Sequence, residues 1–111
     1  MRIKDLTPAE LAMDLLGRSQ CSVQVTAVLA DNHGIAAWGW NSSGLGYGLC
    51  AERHCLSRAN RRRLGGATMW VVGRRKKSKN YVNARPCEVC MRALVKVKKV
   101  MWFDGEVWQE L

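Results

Sequence analysis

Acidic residues are scarce in this chain. Its 111 residues include 9 Asp and Glu against 18 Lys and Arg, for a formal net charge of +9. A surplus of that size attracts polyanions or phosphate-bearing ligands, although it also serves solubility or an acidic partner face. Long apolar runs are absent. No stretch approaches the ~18 residues of a membrane span, so no membrane attachment is expected. Asp5, Glu10 and Asp14 interrupt the first 20 residues, where a secretory signal would need a continuous apolar core. A cytoplasmic protein is the resulting expectation. There is no internal repeat and no linker, so residues 1–111 are expected to form a single domain. Phe occurs once against five Trp, which makes Trp the dominant aromatic. The five cysteines of a chain read as unsecreted point to thiol or metal chemistry rather than a disulfide framework.

The hydrophobic pattern alternates between helix and strand. Thr7-Pro8-Ala9-Glu10 is a capping box with Pro at the first helical position, and Gly17 ends that helix. Residues 22–30 are β-branched and partly alternating, and predict a strand. Asp31-Asn32-His33-Gly34 predicts a turn into a second strand over 35–40. Residues 41–48 form a Gly-rich loop without the Lys of a phosphate-cradling loop. Residues 50–63 predict a helix ending at Gly65-Gly66. Thr68 to Val72 predicts a central strand, Arg74 to Asn83 a basic loop, Cys87 to about Val97 a helix, and Val100 to Phe103 a further strand. Asp104-Gly105 predicts a turn into a short last strand. The strands on either side of the 87–97 helix should be parallel, with a right-handed crossover. The expected fold class is α/β: a mixed sheet of four to five strands with helices on both faces.

The chemistry lies in two pieces, Cys50-Ala51-Glu52 and Pro86-Cys87-Glu88-Val89-Cys90. A zinc ion with three protein ligands keeps a fourth position open for water, whose pKa it lowers to about 7. Cys50, Cys87 and Cys90 supply three thiols, two of them as a Cys-x-x-Cys pair at a predicted helix start, where amides favour thiolates. Glu52 is placed to move protons. Three thiolates leave one net negative charge on the site, which Arg53 would offset. A second reading stays open: His54, one helical turn after Cys50, would be a fourth ligand and close a purely structural site. Cys21 and Cys55 read as small buried apolar residues.

The two pieces together resemble the signature of zinc-dependent nucleobase deaminases, (His or Cys)-x-Glu followed by Pro-Cys-x-x-Cys. Cys50-Ala51-Glu52-Arg53 is similar to the Cys-Ala-Glu-Arg of small cytidine deaminases, which hold zinc with three cysteines. Trp40-Asn41 resembles the Trp-Asn that precedes the zinc motif in tRNA adenosine deaminases, where the Asn binds sugar or base. The resemblance implies a three-layer α/β/α cytidine-deaminase-like fold, a Zn²⁺ cofactor on Cys50, Cys87 and Cys90, Glu52 as the proton carrier, and Asn41 as a substrate ligand. It implies a homo-oligomer, as these folds commonly assemble. His54 then becomes a packed residue behind the ligands, beside Arg53. Two departures stand out. Small cytidine deaminases have a ribose-gripping Glu where this chain has Ser43, and they carry Pro-Cys-Gly-x-Cys-Arg-Gln where it has Pro-Cys-Glu-Val-Cys-Met-Arg. Residues 104–111 are too few for the extra helix that a parallel fifth strand requires, so that strand is expected antiparallel or missing.

These residues point to a zinc-dependent hydrolase that converts cytosine to uracil in a phosphate-bearing substrate, either a cytidine or deoxycytidine nucleotide or single-stranded nucleic acid. The basic segment beginning Arg74-Arg75-Lys76-Lys77 is the expected phosphate contact. Tyr47 and Tyr81 are candidates to stack a base. The alternatives are a tRNA adenosine deaminase, and a basic zinc module that binds nucleic acid without catalysis.

Overall fold

A computed structural model of the chain describes residues 7–43 and 48–110. The first helix, α1 (Pro8–Asp14), starts at the expected capping box: Thr7 accepts from the Glu10 amide, and the Glu10 side chain accepts from Thr7. It runs on into a 3-10 turn, Leu15–Arg18. Then come β1 (Val23–Asp31) and β2 (Gly34–Trp40), an antiparallel hairpin whose turn uses Gly34 at φ 115°. A small two-stranded ribbon, β3 (Ser42–Ser43) with β4 (Gly48–Leu49), occupies the Gly-rich segment. Next are α2 (Ala51–Arg58), a 3-10 turn (Arg61–Gly66), β5 (Thr68–Arg75), β6 (Tyr81–Val82), α3 (Glu88–Ala93), β7 (Lys99–Phe103) and β8 (Trp108–Glu110).

The main sheet has six strands, in the order β2-β1-β5-β7-β8, with β6 pairing the end of β5. β5 and β7 are parallel and β8 is antiparallel to β7, as expected. The count exceeds the four to five strands read from the sequence because the segment 74–83 is not simply a loop. Arg74 and Arg75 extend β5, and Tyr81–Val82 returns to pair with Gly73 and Arg74. The helix expected over 50–63 breaks after Arg58. Ala59 is extended, and the Asn60 side chain accepts from the Arg62 amide to start a separate turn. Likewise α3 is shorter than its expected span to Val97.

Alternation along the strands divides the core into two layers. Ala27, Leu29, Met69 and Val71 face α2 and the segment around Leu94 and Val97. Val28 and Val72 face α1, through Leu11, Ala12, Leu15 and Leu16. Helices therefore lie on both faces of the sheet. No helix among the described residues is long and apolar enough to cross a membrane. One close approach sets the position of α2. A Cβ on Gly39 of β2 would lie 2.5 Å from the Cys55 amide nitrogen and 3.0 Å from the Ala51 carbonyl oxygen. Glycine thus lets the backbone of α2 rest directly on β2.

Candidate active site

Both sequence motifs end up at helix starts. Cys50 is the N-cap of α2, and its Sγ accepts from the Arg53 amide at 3.4 Å. Cys87 is the N-cap of α3, and Cys90 lies one turn into that helix. The two starts converge. The Cys90 thiol donates to Cys50 Sγ at 2.7 Å, and one donor atom from each of Cys50, Glu52 and Cys90 lies within 4.8 Å of the others. Cys87 stands outside that tight group, three residues before Cys90 at the start of the same helix. All four residues line one cavity of about 410 Å³, with Val23, Val25, Asn41 and the segment 82–86 among its other walls.

The electrostatics differ from thiol to thiol. The Cys90 amide and thiol lower the pKa of the exposed Cys87 from its ordinary value. Burial raises that of Cys90, helped by the hydrogen bond with Cys50 and the nearby Glu52 charge. Glu52 is 4% exposed. Burial raises its carboxyl, against the lowering effect of its own amide and of the neighbouring Cys90 thiol. Cys55, in the core beneath, is pushed up to about 12 by burial and reads as an inert packing residue. Cys21 is half-buried rather than buried.

The donor set fits zinc. Thiolate sulfurs are ligands of the kind this ion prefers, and Cys50, Cys87 and Cys90 all line one cavity that leaves room for a further small ligand. His54 is not part of the group formed by Cys50, Glu52 and Cys90. Its Nδ1 lies 3.0 Å from the Trp40 carbonyl oxygen and 3.2 Å from the Trp40 amide nitrogen, with the two rings edge-to-face at 5.0 Å. Arg53 acts at Cys50 through its backbone amide, while its exposed side chain lines a separate groove with Arg61, Arg92 and Lys96.

The residues expected to touch substrate are dispersed. Asn41 lines the cavity, but its amide also ties the strands together: Oδ1 accepts from the Val25 amide at 2.9 Å and from Ser19 Oγ at 2.6 Å, and Nδ2 donates to the Val23 carbonyl at 2.8 Å. One Nδ2 hydrogen is left. Arg74 is not in the cavity wall. Strand alternation sends its side chain to the α1 side of the sheet, where Nε donates to Gln24 Oε1 at 2.9 Å. Arg75 lies with Lys76 and Lys77 in a different pocket, beside Gln20 and Ser22. Tyr81 packs edge-to-face on Phe103 at 5.3 Å, and Tyr47 lies outside the described residues. Arg85, which the sequence reading did not single out, does line the cavity. Its place directly before Pro86-Cys87 was the available signal.

Residues 4–103 match the family model for the cytidine and deoxycytidylate deaminase zinc-binding region. No curated protein sequence matches the chain. Among solved structures, the fold is similar to cytidine deaminase from Burkholderia pseudomallei, with a TM-score of 0.69 at 20% identity, over 94% of this chain and 88% of that one. It is also similar to cytidine deaminase from Mycobacterium leprae, with a TM-score of 0.63 at 19% identity, over 92% of this chain and 88% of that one. With a family match over most of its length, this chain belongs to the cytidine and deoxycytidylate deaminases and is a zinc-dependent hydrolytic deaminase.

Proposed function

We propose that the chain converts cytosine to uracil in a substrate that carries phosphate, with Cys50, Cys87 and Cys90 holding zinc and Glu52 carrying the protons. The observation that bears most weight is the buried Glu52 carboxylate, grouped with Cys50 and Cys90 on the wall of a cavity sized for a small molecule. When bound, zinc supplies the Lewis acidity that makes water nucleophilic near neutral pH. Glu52 accepts a proton from the attacking water and returns protons to the ring nitrogen and to the leaving amine, so that ammonia departs and a carbonyl replaces it. Its burial keeps bulk water from competing for those transfers. Val23, Val25 and Val82 offer apolar surface to the base, and the remaining Asn41 N–H is a donor for base or sugar.

The +9 charge supports a phosphate-bearing substrate. Four of the five Trp residues remain only half-buried, which supports association of the chain with itself. The test of the function is direct: incubate zinc-loaded protein with cytidine, CMP, dCMP, a cytosine-containing single-stranded oligonucleotide and tRNA, and analyse the bases. Uracil from a phosphate-bearing cytosine substrate is the expected product. Inosine in tRNA, or no product from any of them, would overturn the proposal.

A further inference from the structure

The charge surplus and the cavity do not coincide. Of the 18 Lys and Arg residues, Arg85 alone lines the cavity that holds Cys50, Glu52, Cys87 and Cys90, among the described residues. The run Arg75-Lys76-Lys77 opens onto its own pocket, and Arg74 is engaged with Gln24. Arg53, Arg61, Arg92 and Lys96 line a groove on the outer side of α2 and α3.

Arg85 is held in place by its surroundings. Its backbone amide donates to Asn83 Oδ1 at 3.2 Å, and the Ala84 amide donates to the Phe103 carbonyl of β7 at 3.0 Å. Pro86 follows and fixes the backbone into α3. The guanidinium carbon sits 5.5 Å from the ring centroid of Trp102, a buried residue of β7. A cation–π contact engages no hydrogen-bond acceptor, so a guanidinium held by one can still offer N–H donors to a second partner. Among the described residues no carboxylate and no side-chain hydrogen bond occupies them, in contrast to Arg63, which is paired with Asp31. Arg85 lines the catalytic cavity, and its planar fork, exposed, resting on Trp102 and unpaired among the described residues, matches the geometry of a phosphate.

We propose that Arg85 reads the phosphate of the substrate, and that the substrate is a free cytosine mononucleotide. The inference rests on the deaminase reading above and names its substrate class. One cation in a cavity of about 410 Å³ suits one phosphate group. A strand needs a row of cations leading from the site, and the basic runs here open onto other pockets.

The experiment compares wild type, Arg85→Gln and Arg85→Lys on cytidine, CMP, dCMP and a short single-stranded cytosine oligonucleotide. Wild type should prefer a mononucleotide over cytidine in kcat/KM. Arg85→Gln should reduce that preference by about 10- to 100-fold, the range a charge-assisted hydrogen-bonded pair supports, and the loss should fall on KM. Arg85→Lys should recover part of it, since charge without the planar fork gives up bidentate contact. Calorimetric binding of CMP and cytidine to Glu52→Gln protein, with and without Arg85→Gln, should show the same change in preference without turnover. Equal losses on cytidine and CMP would mean that Arg85 only supports the wall through Trp102, and would overturn the inference. So would an oligonucleotide used better than CMP, or a preference untouched by Arg85→Gln. In each of those cases cytosine is still deaminated, and the function stands. Absence of turnover on every cytosine substrate would instead remove the function, and this inference with it.

Discussion

The His54 ring is turned onto Trp40, with Nδ1 3.0 Å from the Trp40 carbonyl oxygen, and it is not part of the group formed by Cys50, Glu52 and Cys90. That orientation bears on the choice between a catalytic and a purely structural metal site. A structural zinc needs four protein ligands, and His54 was the candidate for the fourth. His54→Ala is expected to keep one zinc per chain while losing about 1–3 kcal/mol of stability, because the half-buried Trp40 amide loses its partner. Cys50→Ser, Cys87→Ser and Cys90→Ser should each lose most of the metal. Zinc analysis beside thermal unfolding separates these outcomes; loss of zinc in His54→Ala would make the site four-coordinate and closed.

Glu52 sits beside the Cys50 and Cys90 sulfurs, and the proposed function gives it a different role, that of proton carrier. Glu52→Gln preserves volume and polarity at a buried position, so fold and zinc content should be retained. Turnover should fall by about 10²–10⁴, the share general acid–base transfer supplies. Zinc release by this variant, or a rate within a few-fold of wild type, would show that the carboxylate does something else.

Which parts could be read from sequence follows from how local each signal is. The Thr7–Glu10 capping box, the Gly34 turn and the Cys-x-x-Cys helix start each depend on a few adjacent residues, and all are found where expected. The break after Arg58 carries no Gly or Pro; it comes from Asn60 capping a new turn, which helical composition over 50–63 conceals. Arg74 and Arg75 read as loop because of their charge, yet the ladder to β1 and β6 holds them in a strand. The wall position of Arg85 had its place before Pro86-Cys87 as its one signal, while the seat of its guanidinium on Trp102 of β7 was not legible in local sequence.

The contact at Gly39 links packing to catalysis. A methyl group there would press on the Cys55 amide at 2.5 Å and on the His54 carbonyl carbon at 2.9 Å, both backbone atoms of α2 that cannot rotate aside. Gly39→Ala should therefore push α2 off β2 and carry Cys50 and Glu52 with it. Overpacking of this kind costs about 1–3 kcal/mol, which lowers Tm on the order of 10 °C in a domain of this size. Activity assayed well below that Tm should still drop by more than tenfold, because small displacements of catalytic groups are expensive. Normal turnover in a merely less stable protein would show that the site does not depend on this contact.

The ion pair between Asp31 and Arg63 makes a prediction about pH. Arg63 donates to both carboxylate oxygens, at 2.6 and 2.7 Å, and the His33 amide donates to Oδ1 at 2.9 Å. This ties the β1–β2 turn to the segment after α2. The Arg63 hydrogen bonds lead the causes that hold the Asp31 carboxyl well below its ordinary value in the folded chain. A depressed folded pKa contributes stability that is fully present above the unfolded value near ~4, and that contribution is lost as pH falls below it. Asp31→Asn should thus lower Tm at pH 7. The gap between variant and wild type should narrow steadily below about pH 4, because protonation removes from wild type what the substitution has already removed. Zinc loss in acid affects both proteins and cancels in the comparison. Thermal unfolding of the two proteins from pH 7 to pH 2 provides the check: a gap of constant size across that range would mean that the Asp31 charge contributes nothing to the fold.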